Sequence, residues 1–406
     1  MSGKISNIRP PCGARKPRKI RDGVFYVGAA DWDRALFDAL IPLPDGTSYN
    51  AYLIEGSEKT ALIDAVEPRK IEELLDQISG VNRIDYIVSL HAEQDHSGGI
   101  PHVLERHPEA KVVANAKAKT MLQDLLALPE EVFLTVKEGD ALSLGGKTLE
   151  FIMTPWVHWP ETMCAFLPEE GILFSCDMFG AHLASSELYA TDRGRVLEAA
   201  KRYYAEIMMP FANVIRKNLE KIGRFPIQMI APSHGPVYAD PGLILEAYGE
   251  WAGGPPKNLV ALPYVSMHGS TQQMVDCLLA GLVNRGVRVA PCNMENGDIG
   301  KLAMLLVDAG SLVLAAPTVL GGPHPNLFYA AFLAAQLRPK AKFLSVIGSY
   351  GWQAKTAETL TGVFASQKME VLEPVLAKGL PKAAEREALD RLAATIAEKH
   401  RENGFA

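Results

Sequence analysis

The sequence predicts two domains of the α+β and α/β classes in one chain: a domain of mixed strands and helices, followed by a doubly wound five-stranded parallel sheet. Its 406 residues exceed the roughly 150 that one ordinary domain needs. A Gly-Gly-Pro-Pro stretch at residues 253–256 ends a helical pattern and precedes a new apolar strand. After that stretch strands and helices alternate strictly, whereas before it they do not.

We therefore place a domain boundary at this stretch. The predicted parts are a flexible basic tail (1–22), the first domain (23–252), a linker (253–257) and the second domain (258–406). The first domain contains β-rich segments and helices such as 67–78 and 197–222. The strands predicted for the second domain are 258–265, 287–292, 311–316, 342–347 and 369–374.

The composition excludes several classes of protein. Hydrophobic residues make up 48% and charged residues 22%, which is globular rather than disordered usage. The formal net charge of -6 provides no general basic field for nucleic acid or an anionic membrane. No apolar run reaches the ~20 residues of a membrane span, and no signal peptide is apparent. Five scattered cysteines without a Cys-x-x-Cys pair predict a reducing, cytoplasmic setting.

Four potential metal ligands follow the apolar strand 84–90 within six residues: His91, Glu93, Asp95 and His96. In an extended segment the side chains at 91, 93 and 95 leave on the same side, and the turn at 97–99 can swing the second histidine towards them. Clustering such groups at a strand end is costly unless a divalent metal compensates their charge. The pattern therefore predicts a metal site.

Three further candidates stand at the ends of other predicted strands: His158, Asp177 and His234. Functional side chains collect at such edges in mixed sheets. A lone histidine near a loop is more often a hydrogen-bonded structural residue. The assignment of these three residues as ligands therefore depends on the dense motif, by which we mean the four clustered residues at 91–96. We interpret the histidines without such neighbours as structural or exposed: His102, His107, His182 and His400.

Three loops at the carboxyl ends of neighbouring strands predict a flavin site in the second domain. The first loop combines hydroxyls and Gly269 directly before a helix, where backbone N–H groups favour a phosphate. Serine or threonine before a helix is by itself usually only a cap. The loop that follows the fourth strand adds the flat surfaces of Tyr350 and Trp352, whose alternative role is capping the core. No Gly-x-Gly-x-x-Gly motif supports a dinucleotide-binding domain.

At this point the first domain resembles metallo-β-lactamase-like domains, which fold as αββα sandwiches. Zinc hydrolases of that kind carry His-x-His-x-Asp-His followed by distant His, Asp and His. Here Glu93 replaces the second histidine, and harder oxygen donors shift a binuclear site from zinc towards iron. Glutamate at this position is the hallmark of the flavodiiron proteins, which the sequence resembles over nearly its whole length.

The resemblance implies two non-haem irons per chain. By it, one iron is held by His91, Glu93 and His158, the other by Asp95, His96 and His234, and Asp177 bridges them. The second domain resembles flavodoxin, with FMN held by Ser266, Met267, His268, Gly269, Ser270, Thr271, Pro317, Thr318, Val319, Leu320, Gly321, Ser349, Tyr350, Gly351 and Trp352. Val319, Leu320 and Gln353 depart from the residues common in relatives.

The two sites together predict a terminal reductase in which FMN supplies electrons to a diiron centre that reduces O2 to water or NO to N2O. We expect Trp156 and Trp159 either to keep the pocket apolar or simply to pack in the core. No rubredoxin or flavin-reductase module follows, so an external donor such as rubredoxin or another reductase is expected. The resemblance further implies a head-to-tail homodimer or a homotetramer. Asp38 stands where many relatives carry histidine, so the preferred gas is not carried over.

Two other functions remain open at this stage. A dizinc hydrolase with an accessory flavodoxin domain is opposed by Glu93. A pure electron carrier with a catalytically silent first domain is opposed by the seven ligand-type residues, which a scaffold does not need. The identity of the bound metal distinguishes the hydrolase from the reductase. Consumption of a gas by the reduced protein distinguishes the reductase from the pure electron carrier.

Overall fold

The computed structural model describes residues 16–352 and 355–405. Residues 1–15 of the predicted basic tail and Gln353 lie outside the described residues. The described strands in chain order are β1 (Arg18–Arg21), β2 (Val24–Tyr26), β3 (Ala29–Asp31), β4 (Leu36–Phe37), β5 (Ile41–Pro42), β6 (Thr47–Tyr49), β7 (Tyr52–Glu55), β8 (Thr60–Ile63), β9 (Tyr86–Val88), β10 (Lys111–Asn115), β11 (Phe133–Val136), β12 (Ala141–Ser143), β13 (Thr148–Met153), β14 (Met163–Leu167), β15 (Ile172–Cys176), β16 (Met229–Pro232), β17 (Lys257–Tyr264), β18 (Arg288–Asn293), β19 (Ala309–Val319), β20 (Gly322–Pro323), β21 (Phe343–Tyr350), β22 (Glu370–Val371) and β23 (Val375–Lys378).

The helices connect these strands. The α-helices are α1 (Ile71–Gln77), α2 (Gln94–Ser97), α3 (Ile100–Arg106), α4 (Ala116–Leu126), α5 (Arg193–Tyr203), α6 (Ala212–Ile222), α7 (Gly242–Gly253), α8 (Ser270–Val283), α9 (Ile299–Leu306), α10 (Pro325–Gln336), α11 (Thr356–Val363) and α12 (Ala383–Glu402). Single 3-10 turns occur at Pro68–Lys70, Glu130–Val132 and Met209–Phe211, and Tyr204–Met208 is a π-helical segment.

The described chain forms two compact units. The first takes in residues up to 33, 45–196 and 222–241, and the second takes in 34–44, 197–221 and the residues from 242 onwards. The predicted domain boundary at 253–257 differs from this division, because α7 belongs to the second unit. There Tyr248 and Trp251 pack on Tyr204, with ring centroids 5.3 and 5.5 Å from it.

The first unit contains two stacked sheets, as the predicted fold class requires. Their strand orders are β1-β2-β7-β8-β9-β10-β11 and β12-β13-β14-β15-β16. A buried apolar cluster joins the two inner faces, and within it the rings of Tyr52 and Phe174 lie 5.2 Å apart. A second cluster packs α1, α3 and α4 on the outer face of the first sheet. Each fully buried large side chain in these clusters contributes roughly 1.5–3 kcal/mol through burial.

The parallel strands of the first unit set the position of the site. β8, β9, β10 and β11 are parallel neighbours in one sheet, and β15 and β16 are parallel neighbours in the other. Because the carboxyl ends of parallel strands meet at one edge, the loops after β9, β15 and β16 are brought together. These loops carry six of the seven predicted metal ligands, and the seventh, His158, follows β13.

The second unit contains the predicted doubly wound parallel sheet, with strand order β18-β17-β19-β21-β22. A buried cluster packs α8 and α12 on this sheet. Of the predicted fifth strand at 369–374 only Glu370–Val371 form a strand, β22; a further strand, β23, begins at Val375, and both pair with β21. Pro374 lacks an N–H for the ladder, and the Glu373 carbonyl accepts the Ser345 hydroxyl, which explains the interruption.

Two other sequence predictions need correction. Residues 18–21 of the predicted flexible tail form β1, where the Arg18 guanidinium lies 4.7 Å from the centre of the Tyr26 ring. The single helix predicted over 197–222 is interrupted between α5 and α6, because Pro210 cannot donate a helical hydrogen bond. No helix in the described parts of the chain is long and apolar enough to cross a bilayer.

Candidate metal centre and cofactor loops

The structure brings all seven predicted metal-ligand side chains to one edge of the first unit. They form two groups, in each of which the ligand atoms lie within 4.8 Å of one another. The first group contains four residues and the second three: His91, Glu93, His158 and Asp177, then Asp95, His96 and His234. Their chain segments follow β9, β13, β15 and β16, so both sheets contribute.

The first group is centred on Glu93 and the imidazole nitrogens that face it. Its Oε2 lies 3.0 Å from Nε2 of His91 and 3.1 Å from Nε2 of His158. In the second group, Asp95 lies 3.3 Å from Nε2 of both His96 and His234. Apart from Asp177, each group thus pairs one carboxylate with two imidazoles.

Asp177 faces both groups with separate oxygens. Its Oδ2 lies 3.1 Å from His158 and 3.5 Å from His91, whereas its Oδ1 lies 3.0 Å from His96 and 3.5 Å from His234. A carboxylate with one oxygen directed to each of two ligand sets has the geometry of a bridge between two metal ions.

Several of these atoms have unsatisfied hydrogen-bonding capacity. Both carboxylate oxygens of Asp95, Oδ1 of Asp177 and both ring nitrogens of His96 are buried without a hydrogen-bond partner among the described residues. Buried polar atoms in this state cost free energy unless another group satisfies them. Clustered nitrogen and oxygen donors of this type fit a binuclear metal site.

The electrostatics of the cluster also fit a cation. Burial opposes the positive charge of His91 and His158, but the carboxylates beside them outweigh it and raise the pKa of His91 to about 9 and that of His158 to about 10. Burial likewise opposes ionisation of Asp177, but the surrounding imidazoles hold the pKa of that carboxyl well below its usual range. The carboxylates thus favour positive charge at the imidazoles, and a metal ion can take the place of protons there.

The local backbone of the dense motif differs from the extended segment predicted from sequence. Glu93 is extended, with φ -59° and ψ 141°, but Gln94–Ser97 form the short helix α2. Asp95 and His96 therefore project from a helical turn, whereas His91 and Glu93 precede it. This change of conformation assigns the first pair and the second pair of the motif to different ligand groups.

The loop carrying His234 is fixed by main-chain contacts. The amide of Asn50 donates to the carbonyls of Pro232 and Gly235 at 2.7 and 2.8 Å. Nδ1 of His234 donates to the Ser48 carbonyl at 2.6 Å. This hydrogen bond leaves Nε2 of His234 directed to Asp95 and Asp177.

The structure shows three site residues that sequence reasoning missed. Glu161 accepts a hydrogen bond from Nδ1 of His91 at 2.7 Å. Asp64 accepts the Leu90 N–H at 2.8 Å, and burial raises the pKa of Asp64 to about 6. His182, interpreted as structural or exposed, is buried with its ring 5.2 Å from that of His234. No local sequence pattern marks the position of His182.

In the second unit the three predicted flavin loops follow β17, β19 and β21. The structure lengthens the two later strands, so that Pro317, Thr318 and Val319 lie in β19, and Ser349 and Tyr350 lie in β21. β19 turns at Leu320 and Gly321, both with positive φ, and pairs with β20. The parallel pairing of β19 with β21 extends as far as Pro317, which lies opposite Ser349.

Some predicted flavin contacts have protein partners. The hydroxyls of Thr271 and Ser349 lie 3.0 Å apart and are buried, and Thr318 bonds to Thr356 at 2.7 Å. The Ser266 hydroxyl accepts the N–H of Gln272 at 3.1 Å, which is the capping role considered above.

Other residues of these loops leave room for a cofactor. Gly269 has φ +84°, and a Cβ added there would meet no atom within 4 Å. The loop of Gly269, after β17, also contains His268 and Ser270, and the loop after β21 contains Gly351. Met267, Leu320 and Trp352 are 49%, 101% and 89% exposed at the carboxyl ends of three adjacent strands. Exposed apolar side chains at the ends of neighbouring strands can pack against the ring of a flavin.

Comparison with known proteins finds relatives that cover most of the chain. Residues 47–235 match a family model described as ODP family beta lactamase. The chain is 36% identical to a nitric oxide reductase from Moorella thermoacetica over 88% of this chain and 92% of that protein. Among solved structures, it resembles rubredoxin oxygen:oxidoreductase from Desulfovibrio gigas (TM-score 0.93, 30% identity, 96% of this chain and 100% of that one). It also resembles a flavodiiron protein from Giardia intestinalis (TM-score 0.89, 28% identity, 96% and 99%).

Proposed function

The chain belongs to the flavodiiron family, and we propose that it reduces O2 to water or NO to N2O at the metal centre of its first unit. One observation carries the proposal: the two oxygens of Asp177 face two ligand groups, one of which contains Glu93 in place of a histidine. This arrangement favours a pair of irons over a pair of zincs.

We assign the ligands by group. One iron would be held by His91, Glu93 and His158 and the other by Asp95, His96 and His234, and Asp177 would contribute a carboxylate that faces both groups. The diiron pair, when bound, supplies the redox chemistry, and FMN supplies its electrons. We assign FMN to the loops after β17, β19 and β21, where the loop of Gly269 would hold its phosphate and Trp352 would contact its ring.

The protein's own residues orient the ligands and limit the approach of water. The side chains of Glu93 and His158 are 13% and 14% exposed, whereas those of His96, Asp177 and His234 are each 1% exposed. We therefore place the approach of substrate on the side of Glu93 and His158. Trp159 packs edge-on against His91 at 5.0 Å, which keeps this side apolar and suited to an uncharged gas.

The hydrolase alternative has less support. Both solved relatives described above and the nitric oxide reductase align over nearly the whole chain, including the second unit. A hydrolase needs no electron supply, so it would leave the flavin loops without a purpose. We further propose that an external redox protein reduces the flavin. One solved relative is named a rubredoxin oxygen:oxidoreductase, which supports rubredoxin as a candidate donor.

We also propose a dimer or tetramer in a cytoplasmic setting, as the family resemblance implies. Light scattering or sedimentation of the purified protein measures the oligomeric state directly. A monomer that turns over gas at the same rate at all protein concentrations would contradict this part of the proposal.

Elemental analysis of protein purified without oxygen tests the function first. We expect about two irons and one FMN per chain. Gas-electrode assays with chemically reduced protein then measure consumption of O2 and of NO. Two zincs per chain in protein that consumes neither gas would contradict the proposal and favour the hydrolase.

A further inference from the structure

Glu161 lies behind the His91 ring, on the side opposite the metal-facing nitrogen. Its Oε1 is 2.7 Å from Nδ1 of His91 and also accepts the N–H of Ala92 at 3.0 Å. Its side chain is fully buried. Because a carboxylate only accepts, Nδ1 of His91 carries the proton and donates it, and Nε2 remains available to a metal.

The corresponding histidine of the other ligand group is held differently. Nδ1 of His234 donates to the carbonyl oxygen of Ser48, which is a neutral main-chain group. His91, in one ligand group, therefore has an anionic hydrogen-bond acceptor behind its ring, whereas His234, in the other group, has an uncharged one. A carboxylate acceptor makes an imidazole a stronger donor to a metal than a carbonyl does.

Glu161 is itself held by the start of a helix. The Asn115 side chain donates to the Glu161 carbonyl, while its own oxygen accepts the N–H groups of Lys117 and Ala118 and caps α4. The second carboxylate oxygen, Oε2, is buried without a hydrogen-bond partner among the described residues. A buried carboxylate with one unsatisfied oxygen is costly for stability, so packing alone gives no reason for a glutamate here.

We propose that Glu161 is a positioning residue that orients His91 and strengthens its bond to one iron, so that the two irons are held with unequal strength. This inference rests on the proposed function, because it takes His91 and His234 as ligands of different irons. The affinity for the iron bound by His91, Glu93 and His158 depends on Glu161. The affinity for the other iron does not.

The test compares Glu161→Ala and Glu161→Gln with the wild-type holoenzyme loaded with 57Fe. Alanine removes the acceptor, whereas glutamine keeps an acceptor oxygen but removes the charge. Mössbauer spectra follow the two irons separately during a titration with a ferrous chelator. In Glu161→Ala we expect one iron to be lost at roughly 10- to 100-fold lower chelator concentration, with the other iron and FMN retained. In Glu161→Gln we expect a smaller loss and a higher reduction potential of the iron pair.

Glu170→Gln is the matched control. Glu170 is a carboxylate of the same unit that pairs with Lys147 at 2.9 Å and contacts no ligand. We expect its replacement to leave both the iron titration and the reduction potential unchanged.

Two results would overturn the inference: both irons held as in the wild type with an unchanged potential, or both irons lost together from folded, FMN-loaded protein. If Glu161→Ala fails to fold, Glu161→Gln decides by its potential, since a merely structural role would not change it. A wild-type protein without an iron pair would instead contradict the proposed function.

Discussion

Replacement of His400 should remove an acid-sensitive component of stability from the second unit. His400 is buried, and its Nδ1 donates to Oδ1 of Asn258 at 2.9 Å. The Asn258 amide donates to the Gly286 carbonyl, which fixes its orientation. Nε2 of His400 therefore accepts the Ser311 hydroxyl at 2.7 Å in the neutral form. Burial lowers the pKa of His400 from 6.5 to about 4.

The sign of the effect follows from proton counting. Between pH 6.5 and about 4 the unfolded chain binds a proton at His400 that the folded chain does not, so the free energy of unfolding falls as the pH falls. The lowered pKa corresponds to at most about 3 kcal/mol at about 1.4 kcal/mol per tenfold change, and we expect about 1–2 kcal/mol after solvent screening. Above pH 6.5 this contribution is constant.

Guanidinium unfolding of wild type and His400→Gln at pH 7 and pH 4.5 measures the difference. We expect the variant to be less stable at pH 7 but to lose about 1–2 kcal/mol less than the wild type on acidification. Phe343→Leu is the packing control, because Phe343 stacks on His400 with ring centroids 6.2 Å apart but does not titrate. Equal acid sensitivity of wild type and His400→Gln would refute the reasoning.

Three further changes test the two sites and the sheet. Asp177→Ala removes the carboxylate shared by both ligand groups. Gas consumption should therefore fall to background while FMN absorbance remains. Loss of FMN would show that the two sites are not separable. Gly269→Asp places charge and bulk in the open phosphate loop at φ +84° and should release FMN, which flavin fluorescence of a filtrate measures; retained flavin would contradict the assignment. A Cβ at Gly348 would lie 2.1 Å from the Ala316 carbonyl oxygen. Gly348→Ala should therefore lower the free energy of unfolding, measured with guanidinium, by about 1–3 kcal/mol. The control is Gly362→Ala in α11, where a Cβ meets no atom within 4 Å, and it should be neutral or stabilising.

The convergence of the metal-type side chains could be predicted from sequence because each follows an apolar strand. Parallel strands bring such positions to one edge, so His91, Asp177 and His234 meet although they lie far apart in the chain. The helical turn at Gln94–Ser97 could not be predicted, because four residues give no measurable periodicity.

Residues that act through another side chain were harder to find. Glu161 contacts His91 across 70 residues of sequence and sits in a short loop without a pattern of its own. His182 likewise gave no local signal, since its burial results from tertiary packing. The continuation of β19 through Pro317, Thr318 and Val319 was also missed, since the strand was predicted to end at residue 316.

Because the proposed ligands come from segments of both sheets, the metal centre also has a consequence for folding. A metal bound there closes loops between residues 91, 158, 177 and 234, and so acts as a crosslink formed only after distant strands have paired. Such a crosslink stabilises the folded state by mass action and slows unfolding. We therefore expect iron to bind late in maturation, and proteolytic resistance of the first unit should report how much of a preparation holds metal.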